Sequence, residues 1–238
     1  MKALIVDDER LARNELRRLL AAHPDIVVAG EARNVDEAEA RLRELSIDVV
    51  FLDIQMPGAT GFDLLERLDR VPLVIFTTAY DEYAVRAFEV SAFDYLLKPI
   101  RPERLARTLE RTRVAWDASR GAAGTPAAAA SGRVFIRDGE RCWLIAPAEI
   151  ALLEAEGNYT RVCFGANRPL VARTLQSLEA RLDPAMFFRA SRTHIVNLQM
   201  VEGVEPGVDG AYTVVMRGGG RVPVSRRQSR RLRESLSL

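Results

Sequence analysis

The sequence predicts two domains of different class: a doubly wound α/β domain with a five-stranded parallel sheet, followed by a mainly antiparallel β domain with short helices. Short apolar runs alternate with helical periodicity in the first half, as strands and helices do in β-α units. These runs are apolar throughout, which is typical of strands buried on both faces. In the second half, β-rich runs are separated by Asp-Gly, Gly-Asn and Gly-Gly-Gly turn signals, which indicate antiparallel pairing.

The chain of 238 residues is long enough for two domains that each have a core. Residues 117–132 have no periodic apolar pattern and contain three glycines and one proline, so we expect a flexible linker there. The predicted domains are therefore 1–116 and 133–238.

The elements of the first domain follow from its periodicity. Strands are expected near 3–7, 26–31, 48–52, 73–77 and 94–97. The helix after the first strand is indicated by positions spaced i, i+4, i+7 and i+8, namely Ala12, Leu16, Leu19 and Leu20. Pro102 opens the helix after the last strand, with Leu105, Leu109 and Trp116 on one face.

The second domain is predicted to contain more and shorter elements. Strands are expected near 133–137, 142–146, 148–153, 160–164, 168–172, 211–217 and 220–224. A helix over 174–182 places three leucines on one face. The last helix begins at Ser225, where Ser225 and Gln228 have the spacing of a capping box, and Arg226 and Arg227 then occupy its first turn.

The two halves differ in charge. Residues 1–118 contain 17 basic and 22 acidic side chains, whereas residues 119–238 contain 17 and 11. An acidic domain joined to a basic one suggests a metal or regulatory site on one side and a polyanion ligand on the other, although a chance difference between domains is the alternative.

No apolar run approaches the roughly 20 residues needed to span a bilayer. The N-terminus lacks a signal-peptide pattern because acidic residues from Asp7 end its first apolar run. We therefore expect a cytoplasmic protein without a membrane partner. Cys142 and Cys163 are too few for a disulfide framework or a zinc site, so buried thiols are expected.

Polar side chains follow four of the predicted parallel strands. They are Asp7 and Asp8, Asp53, Thr78, and Lys98. Ligand sites in such sheets lie beyond the carboxyl ends of the strands, so these groups should converge. The carboxylates suit Mg²⁺, and Asp53 could then attack a phosphoryl group that Thr78 and Lys98 stabilise. The alternative is that Asp7 and Asp8 cap a helix, Asp53 lies in a turn and Thr78 is a cap.

Lys98 is unusual for this chain, in which 32 of the 34 basic residues are arginine. The compact ammonium of Lys98 at a strand end suggests a site too tight for a guanidinium group.

Residues 1–115 resemble a response-regulator receiver domain. The resemblance rests on the motifs 4–9, 51–58, 77–79 and 95–99. The resemblance implies that a sensor histidine kinase phosphorylates Asp53. It also implies that Mg²⁺ is held by Asp7, Asp8, Asp53 and the Gln55 carbonyl. Phosphorylation would be relayed to the surface by Thr78, Tyr95 and Lys98, with Thr78 and Tyr95 as the switch pair. A cis peptide between Lys98 and Pro99 is also implied.

A competing class also forms an aspartyl phosphate. Haloacid-dehalogenase-like phosphatases have a second Asp two residues after the nucleophile, whereas this chain has Gln55 there. Without that acid/base, rapid turnover is not expected. We therefore interpret the domain as a signalling module and not as an enzyme.

Three segments of the second domain have polar tips suited to DNA. Asn158, Tyr159, Thr160 and Arg161 form the first, Arg192 lies in the second, and Arg226 with Arg227 opens the last helix. Arginine can contact guanine with two hydrogen bonds, and a helix N-terminus favours phosphate. The alternative is that residues 157–158 form only a hairpin turn and that the arginines of the last helix are its solvated face.

Residues 133–236 resemble the LytTR DNA-binding domain through the motifs 154–160, 188–197 and 222–226. The resemblance implies that loops of a β fold enter successive major grooves, with Thr160, Arg192 and Arg226 as contact positions. His194 is interpreted as structural.

Together these features predict a two-component response regulator of the LytR/AlgR type that acts as a transcription factor. Its partners would be a histidine kinase and double-stranded promoter DNA, with phosphorylation favouring a homodimer on paired half-sites. The alternative is a phosphorylation-dependent adaptor that binds protein instead of DNA.

Overall fold

A computed structural model of the chain describes residues 1–79, 94–121, 133–139, 141–207 and 210–236. The described residues divide into two compact units, Met1–Ile145 and Ala146–Leu238. No helix within the described residues is long and apolar enough to cross a membrane.

A five-stranded parallel sheet forms the centre of the first unit, as the apolar runs predict. Its strands are β1 (Lys2–Val6), β2 (Val27–Ala32), β3 (Val49–Asp53), β6 (Leu73–Thr78) and β7 (Asp94–Leu97), in the order β2-β1-β3-β6-β7. Between β3 and β6, the short strands β4 (Gln55–Met56) and β5 (Ala59–Thr60) pair antiparallel with each other.

Helices cover both faces of this sheet. Within the described residues of this unit they are α1 (Arg10–Leu20), α2 (Val35–Glu44), α3 (Gly61–Arg67) and α4 (Pro102–Gly121). Side chains of one strand alternate between two cores: Ile5 packs with Leu16 and Leu105, whereas Leu4 packs with Ala38. This alternation explains why the strands contain runs of consecutive apolar residues.

The last helix of this unit extends beyond its predicted end. Helix α4 begins at Pro102, as expected, and runs to Gly121, five residues into the predicted linker. The rest of that linker, residues 122–132, lies outside the described residues. The apolar stripe of α4 ends near Trp116, so periodicity gave no signal for its final turn.

An antiparallel hairpin follows, formed by β8 (Val134–Asp138) and β9 (Arg141–Ile145). It belongs to the first compact unit, although the sequence places residue 133 at the start of the second domain. Phe135, Cys142 and Leu144 join the same buried cluster as Phe62, which explains the difference. The domain limits 1–116, 117–132 and 133–238 stay predictions.

The second unit is antiparallel, as the turn signals predict. One sheet has the order β12-β11-β10-β14-β13 and is built from β10 (Leu152–Glu156), β11 (Tyr159–Cys163), β12 (Leu170–Val171), β13 (Phe187–Arg189) and β14 (His194–Asn197). A three-stranded sheet contains β15 (Val201–Pro206), β16 (Tyr212–Met216) and β17 (Arg221–Val224). Its helices are α5 (Leu175–Glu179) and α6 (Arg226–Leu236), with 3₁₀ turns at Pro147–Glu149 and Leu198–Met200.

Sequence patterns missed β13, β14 and β15. The first two are short and flank a polar turn, and β15 contains Gly203 and ends on Pro206, both of which weaken a strand signal. One of the two hydrogen bonds of the predicted capping box is also wrong. The Ser225 amide donates to the Ala190 carbonyl at 2.9 Å and not to Gln228, whose Oε1 atom has no hydrogen-bond partner among the described atoms.

Two smaller expectations are confirmed. The peptide bond between Lys98 and Pro99 is cis. Cys142 and Cys163 are buried free thiols.

Candidate functional site

The carboxyl ends of the parallel strands form an acidic cleft. Asp7 and Asp8 follow β1, and Asp53 is the last residue of β3. One carboxylate oxygen from each lies within 4.8 Å of the others. Thr78 and Lys98 also line this cleft of about 560 Å³. The structure therefore brings together all the side chains that the strand-end argument selected.

Lys98 bridges two of the carboxylates. Its Nζ atom lies 2.6 Å from Asp53 Oδ2 and 2.7 Å from Asp7 Oδ2. Burial alone would lower the pKa of Lys98, but its hydrogen bonds to Asp53 and Asp7 and their charges raise it above its ordinary value. Lys98 is therefore a cation at neutral pH, held between the two acids.

Asp53 is a buried carboxylate with excess negative charge around it. Burial raises the pKa of Asp53; the hydrogen bond and charge of Lys98 offset only part of this effect, and the charge of Asp7 adds to it. The other oxygen, Oδ1, accepts the Gln55 amide at 3.2 Å. Lys98 thus contacts two of the three clustered carboxylates, whose combined negative charge exceeds its own positive charge.

The donor set fits a magnesium ion. Asp7 and Asp53 are buried and Asp8 is partly exposed, so the cluster offers hard oxygen ligands on a side that stays open to solvent. A divalent cation would neutralise the charge that Lys98 leaves unbalanced. The Gln55 residue lies at the edge of the same cleft.

The predicted switch residues occupy two neighbouring strands. Thr78 ends β6 and is buried, while Tyr95 on β7 is partly buried against the core. The Arg104 guanidinium lies 5.5 Å from the Tyr95 ring centroid and donates to the Tyr95 carbonyl at 3.2 Å. We expect the surface formed by residues 81–116 to respond to Thr78 and Tyr95; positions 81–93 of this segment lie outside the described residues.

Two supporting groups escaped sequence reasoning. Arg13 on α1 donates to the carbonyls of Asp7 at 2.8 Å and Asp8 at 3.2 Å, so it fixes the backbone that presents both carboxylates. Buried Asp94 accepts hydrogen bonds from Arg104 at 2.5 Å and Thr108 at 2.8 Å, and thereby ties β7 to α4. The sequence carries no signal for these roles, because only folding brings the partner groups together.

In the second unit, the turn between β10 and β11 presents two of the predicted contact residues. Asn158 is exposed and Tyr159 is 47% exposed. Arg161 is half-buried, pairs with Glu156 and donates to the Arg168 carbonyl at 3.1 Å. A cationic and an aromatic side chain thus flank this turn.

Thr160 does not join this surface. Its side chain is fully buried, and its hydroxyl donates to the Arg173 carbonyl at 2.8 Å. The expectation that the Thr160 side chain touches DNA is corrected by this inward orientation, which follows from the alternation of side chains along β11.

Arg192 is exposed in the turn between β13 and β14. The sequence missed the residue that shapes this turn: Arg189 donates to the carbonyls of Ser191 at 2.6 Å and Arg192 at 2.7 Å. His194 Nδ1 lies 3.1 Å from the Ser191 hydroxyl and 3.0 Å from that of Thr193, as expected of a structural histidine.

Three predicted contact segments meet at one end of the antiparallel five-stranded sheet of the second unit. Glu154 on β10 pairs with His194 on β14, which places the 157–158 turn beside the Arg192 turn. The hydrogen bond from the Ser225 amide to the Ala190 carbonyl brings the start of α6 to the same end. Arg226 and Arg227 are exposed there, so several cations share one surface.

Comparison with known proteins gives two family matches. The response regulator receiver domain matches residues 3–110, and the LytTr DNA-binding domain matches residues 140–237. The sensory transduction protein LytT of Enterococcus faecalis is 33% identical, with full coverage of both chains.

Two further relatives show the same extent of similarity. An uncharacterized response regulatory protein of Vibrio cholerae is 37% identical and covers 100% of this chain and 99% of its own. The transcriptional regulatory protein BtsR of Salmonella typhi is 36% identical, with full coverage of both chains.

Proposed function

Because the chain belongs to the response regulators that join a receiver domain to a LytTR DNA-binding domain, we propose that Asp53 is its phosphoacceptor and that the basic end of its second unit contacts DNA. The chain is a response-regulator transcription factor. Its proposed partners are a sensor histidine kinase and double-stranded promoter DNA, and its proposed location is the cytoplasm.

The observation that supports the phosphoacceptor is the placement of Asp53 beside Lys98 in the acidic cleft. A carboxylate oxygen of Asp53 attacks phosphorus while the bond from phosphorus to the donor group breaks, which leaves an acyl phosphate on Asp53. The Lys98 ammonium is positioned to pair with a phosphoryl oxygen, and the Thr78 hydroxyl lines the same cleft.

We assign a magnesium site to Asp7, Asp8, Asp53 and the Gln55 carbonyl. When bound, Mg²⁺ supplies positive charge that screens the carboxylates from the incoming phosphoryl group. Asp7 also holds Lys98, and Arg13 keeps the 7–8 backbone in place. The residue two positions after Asp53 is Gln55, an amide without acid/base function, which supports a persistent signal and not enzymatic turnover.

A phosphorylation experiment tests this assignment. The full chain is incubated with Mg²⁺ and acetyl phosphate, and the modified residue is mapped by mass spectrometry. We expect one phosphoryl group on Asp53, none on Asp53→Asn, and normal labelling of Asp36→Asn, which removes an exposed carboxylate from α2. Labelling that persists in Asp53→Asn would refute the assignment.

The DNA-binding proposal is supported by the exposed cations that lie at one end of the antiparallel five-stranded sheet of the second unit. We assign the contacts to Asn158, Tyr159, Arg161, Arg192, Arg226 and Arg227. Arginine can read guanine edges, and the start of α6 suits backbone phosphate. The Thr160 side chain is left out because it is buried.

Salt dependence separates DNA binding from the adaptor alternative. If the surface neutralises phosphates, the logarithm of the binding constant for selected DNA falls linearly with the logarithm of the salt concentration. Substituting Arg192 with Ala should reduce the preference for selected over random DNA. If the chain binds neither the selected nor the random DNA above background at low salt, the result would instead support the protein-binding adaptor.

A further inference from the structure

The β8–β9 hairpin is docked on helix α3. The rings of Phe135 and Phe62 stack with centroids 6.3 Å apart and planes 17° from parallel. Cys142 and Leu144 are buried in the same cluster as Leu65 of α3. The apolar side of the hairpin is therefore covered by the helix that follows the phosphoacceptor strand.

Polar contacts fix the position of this hairpin. Arg137 Nη1 lies 3.2 Å from both Asp63 Oδ1 and Glu66 Oε1, so one arginine engages two carboxylates of α3. Val71 and Arg133 exchange two backbone hydrogen bonds, of 2.9 and 3.2 Å, at the entry to β8. Stacking, ion pairs and backbone pairing together specify one docked arrangement.

Helix α3 is tied just as closely to the end of β3. The Gly61 amide donates to the Ile54 carbonyl at 2.9 Å, next to Asp53. The Asp63 carboxylate accepts the Thr60 amide at 2.6 Å through Oδ2 and engages Arg137 through Oδ1. A single carboxylate therefore belongs both to the cap of α3 and to the hairpin contact.

We propose that the β8–β9 hairpin transmits the state of Asp53 to the DNA-binding half of the chain, with α3 as the intermediate. The hairpin stays docked in the unphosphorylated protein, and phosphorylation of Asp53 alters that docking by moving the cap of α3. The match to the LytTR domain begins at residue 140, so β9 belongs to the part of the chain that this family describes. This inference rests on the proposed function, because it requires Asp53 to be phosphorylated.

Charge reversal in the full chain tests the docked state. Arg137→Glu places a third carboxylate against Asp63 and Glu66, so the amides of 134–145 should lose protection from hydrogen exchange without phosphodonor. The matched control is Arg141→Glu, the same change at an exposed position of the other hairpin strand. Arg137→Glu/Glu66→Arg should restore protection. Equal protection of 134–145 in both single variants and the wild type would overturn the proposal.

A second comparison tests transmission. Acetyl phosphate and Mg²⁺ should shift the protection of 134–145 in the wild type and in Arg141→Glu, and that shift should be lost in Arg137→Glu. Phosphorylation is quantified on the same samples by mass spectrometry. Full phosphorylation without any shift overturns the inference and leaves the proposed function intact. Absence of phosphate on Asp53 overturns both.

Discussion

At the scale of single residues, the chain uses lysine where a compact cation is needed. Lys98 has only 17% of its side chain exposed and touches two carboxylates at once. A planar guanidinium is larger and distributes its donors over a rigid fork, so it cannot take the same place without moving Asp7 or Asp53. The scarcity of lysine in the sequence suggested a site too tight for a guanidinium group, and the short contacts of Lys98 agree with that suggestion.

Lys98→Arg should therefore slow phosphorylation although it keeps the charge. We expect a decrease of about tenfold or more in the rate with acetyl phosphate, equivalent to about 1.4 kcal/mol of transition-state stabilisation. Intact-mass measurements over time give the rate. Lys2→Arg is the matched control, since Lys2 is the only other lysine and is exposed on β1. Equal rates in the two variants would show that the site tolerates a guanidinium.

Cys163 illustrates a residue whose chemistry is suppressed by its surroundings. Burial raises the pKa of its thiol to about 11, and the neighbouring Glu154 carboxylate contributes to the rise. The thiol is therefore protonated at neutral pH and is a poor nucleophile. The expectation of a buried thiol agrees with this environment.

At the scale of elements, the junction between β3 and α3 depends on a glycine. A Cβ atom at Gly61 would lie 2.5 Å from the Asp53 carbonyl oxygen and 3.0 Å from Leu52 Cγ. Because the closer atom belongs to the backbone, it cannot rotate away. Glycine at this position allows α3 to start directly against the end of β3.

Gly61→Ala should therefore destabilise the first unit by about 1–3 kcal/mol, the usual cost of overpacking. Urea unfolding followed by tryptophan fluorescence measures this, because Trp116 and Trp143 both lie in that unit. Gly30→Ala is a suitable comparison, because the nearest atoms to its new methyl group are side-chain carbons, at 3.3 Å or more, which can move away. A loss at Gly61 no larger than that at Gly30 would contradict the argument.

The sequence predicted elements well where periodicity was strong and poorly where tertiary contacts decide. The five parallel strands were predictable from their apolar runs, and the cleft residues were predictable because four of these runs end at or next to a chemically distinctive side chain. Arg13 and Arg189 were not, because their roles depend on backbone carbonyls that only folding brings near them. The inward orientation of Thr160 depends on strand register, which a motif does not specify.

At the scale of the whole molecule, the two units have different charge and different tasks. The first gathers carboxylates around the proposed phosphoacceptor, and the second gathers arginines at one end of a sheet. Helix α4 shortens the segment that could act as a flexible linker, since it continues to Gly121. A flexible segment does not transmit a fixed geometry, so association between chains is a second route by which phosphorylation can act.

Phosphorylation is accordingly expected to promote dimerisation. If Thr78 moves toward the phosphoryl group and Tyr95 follows, the surface formed by 81–116 changes, and two receivers can pair through it. Pairing raises the effective concentration of the second DNA-binding unit at a repeated site, which tightens binding without a new contact to DNA. A single half-site should gain little.

Light scattering with and without acetyl phosphate measures the mass of the protein in solution. Titration measures its affinity for DNA that contains one or two half-sites. The half-sites are identified in DNA fragments that the full chain selects from random sequence. Asp53→Asn should show neither the increase in mass nor the gain on paired half-sites. The same gain on a single half-site with no change in mass would exclude dimerisation as the cause. That outcome would leave the docked hairpin as the route from Asp53, because α3 and β8–β9 act within one chain.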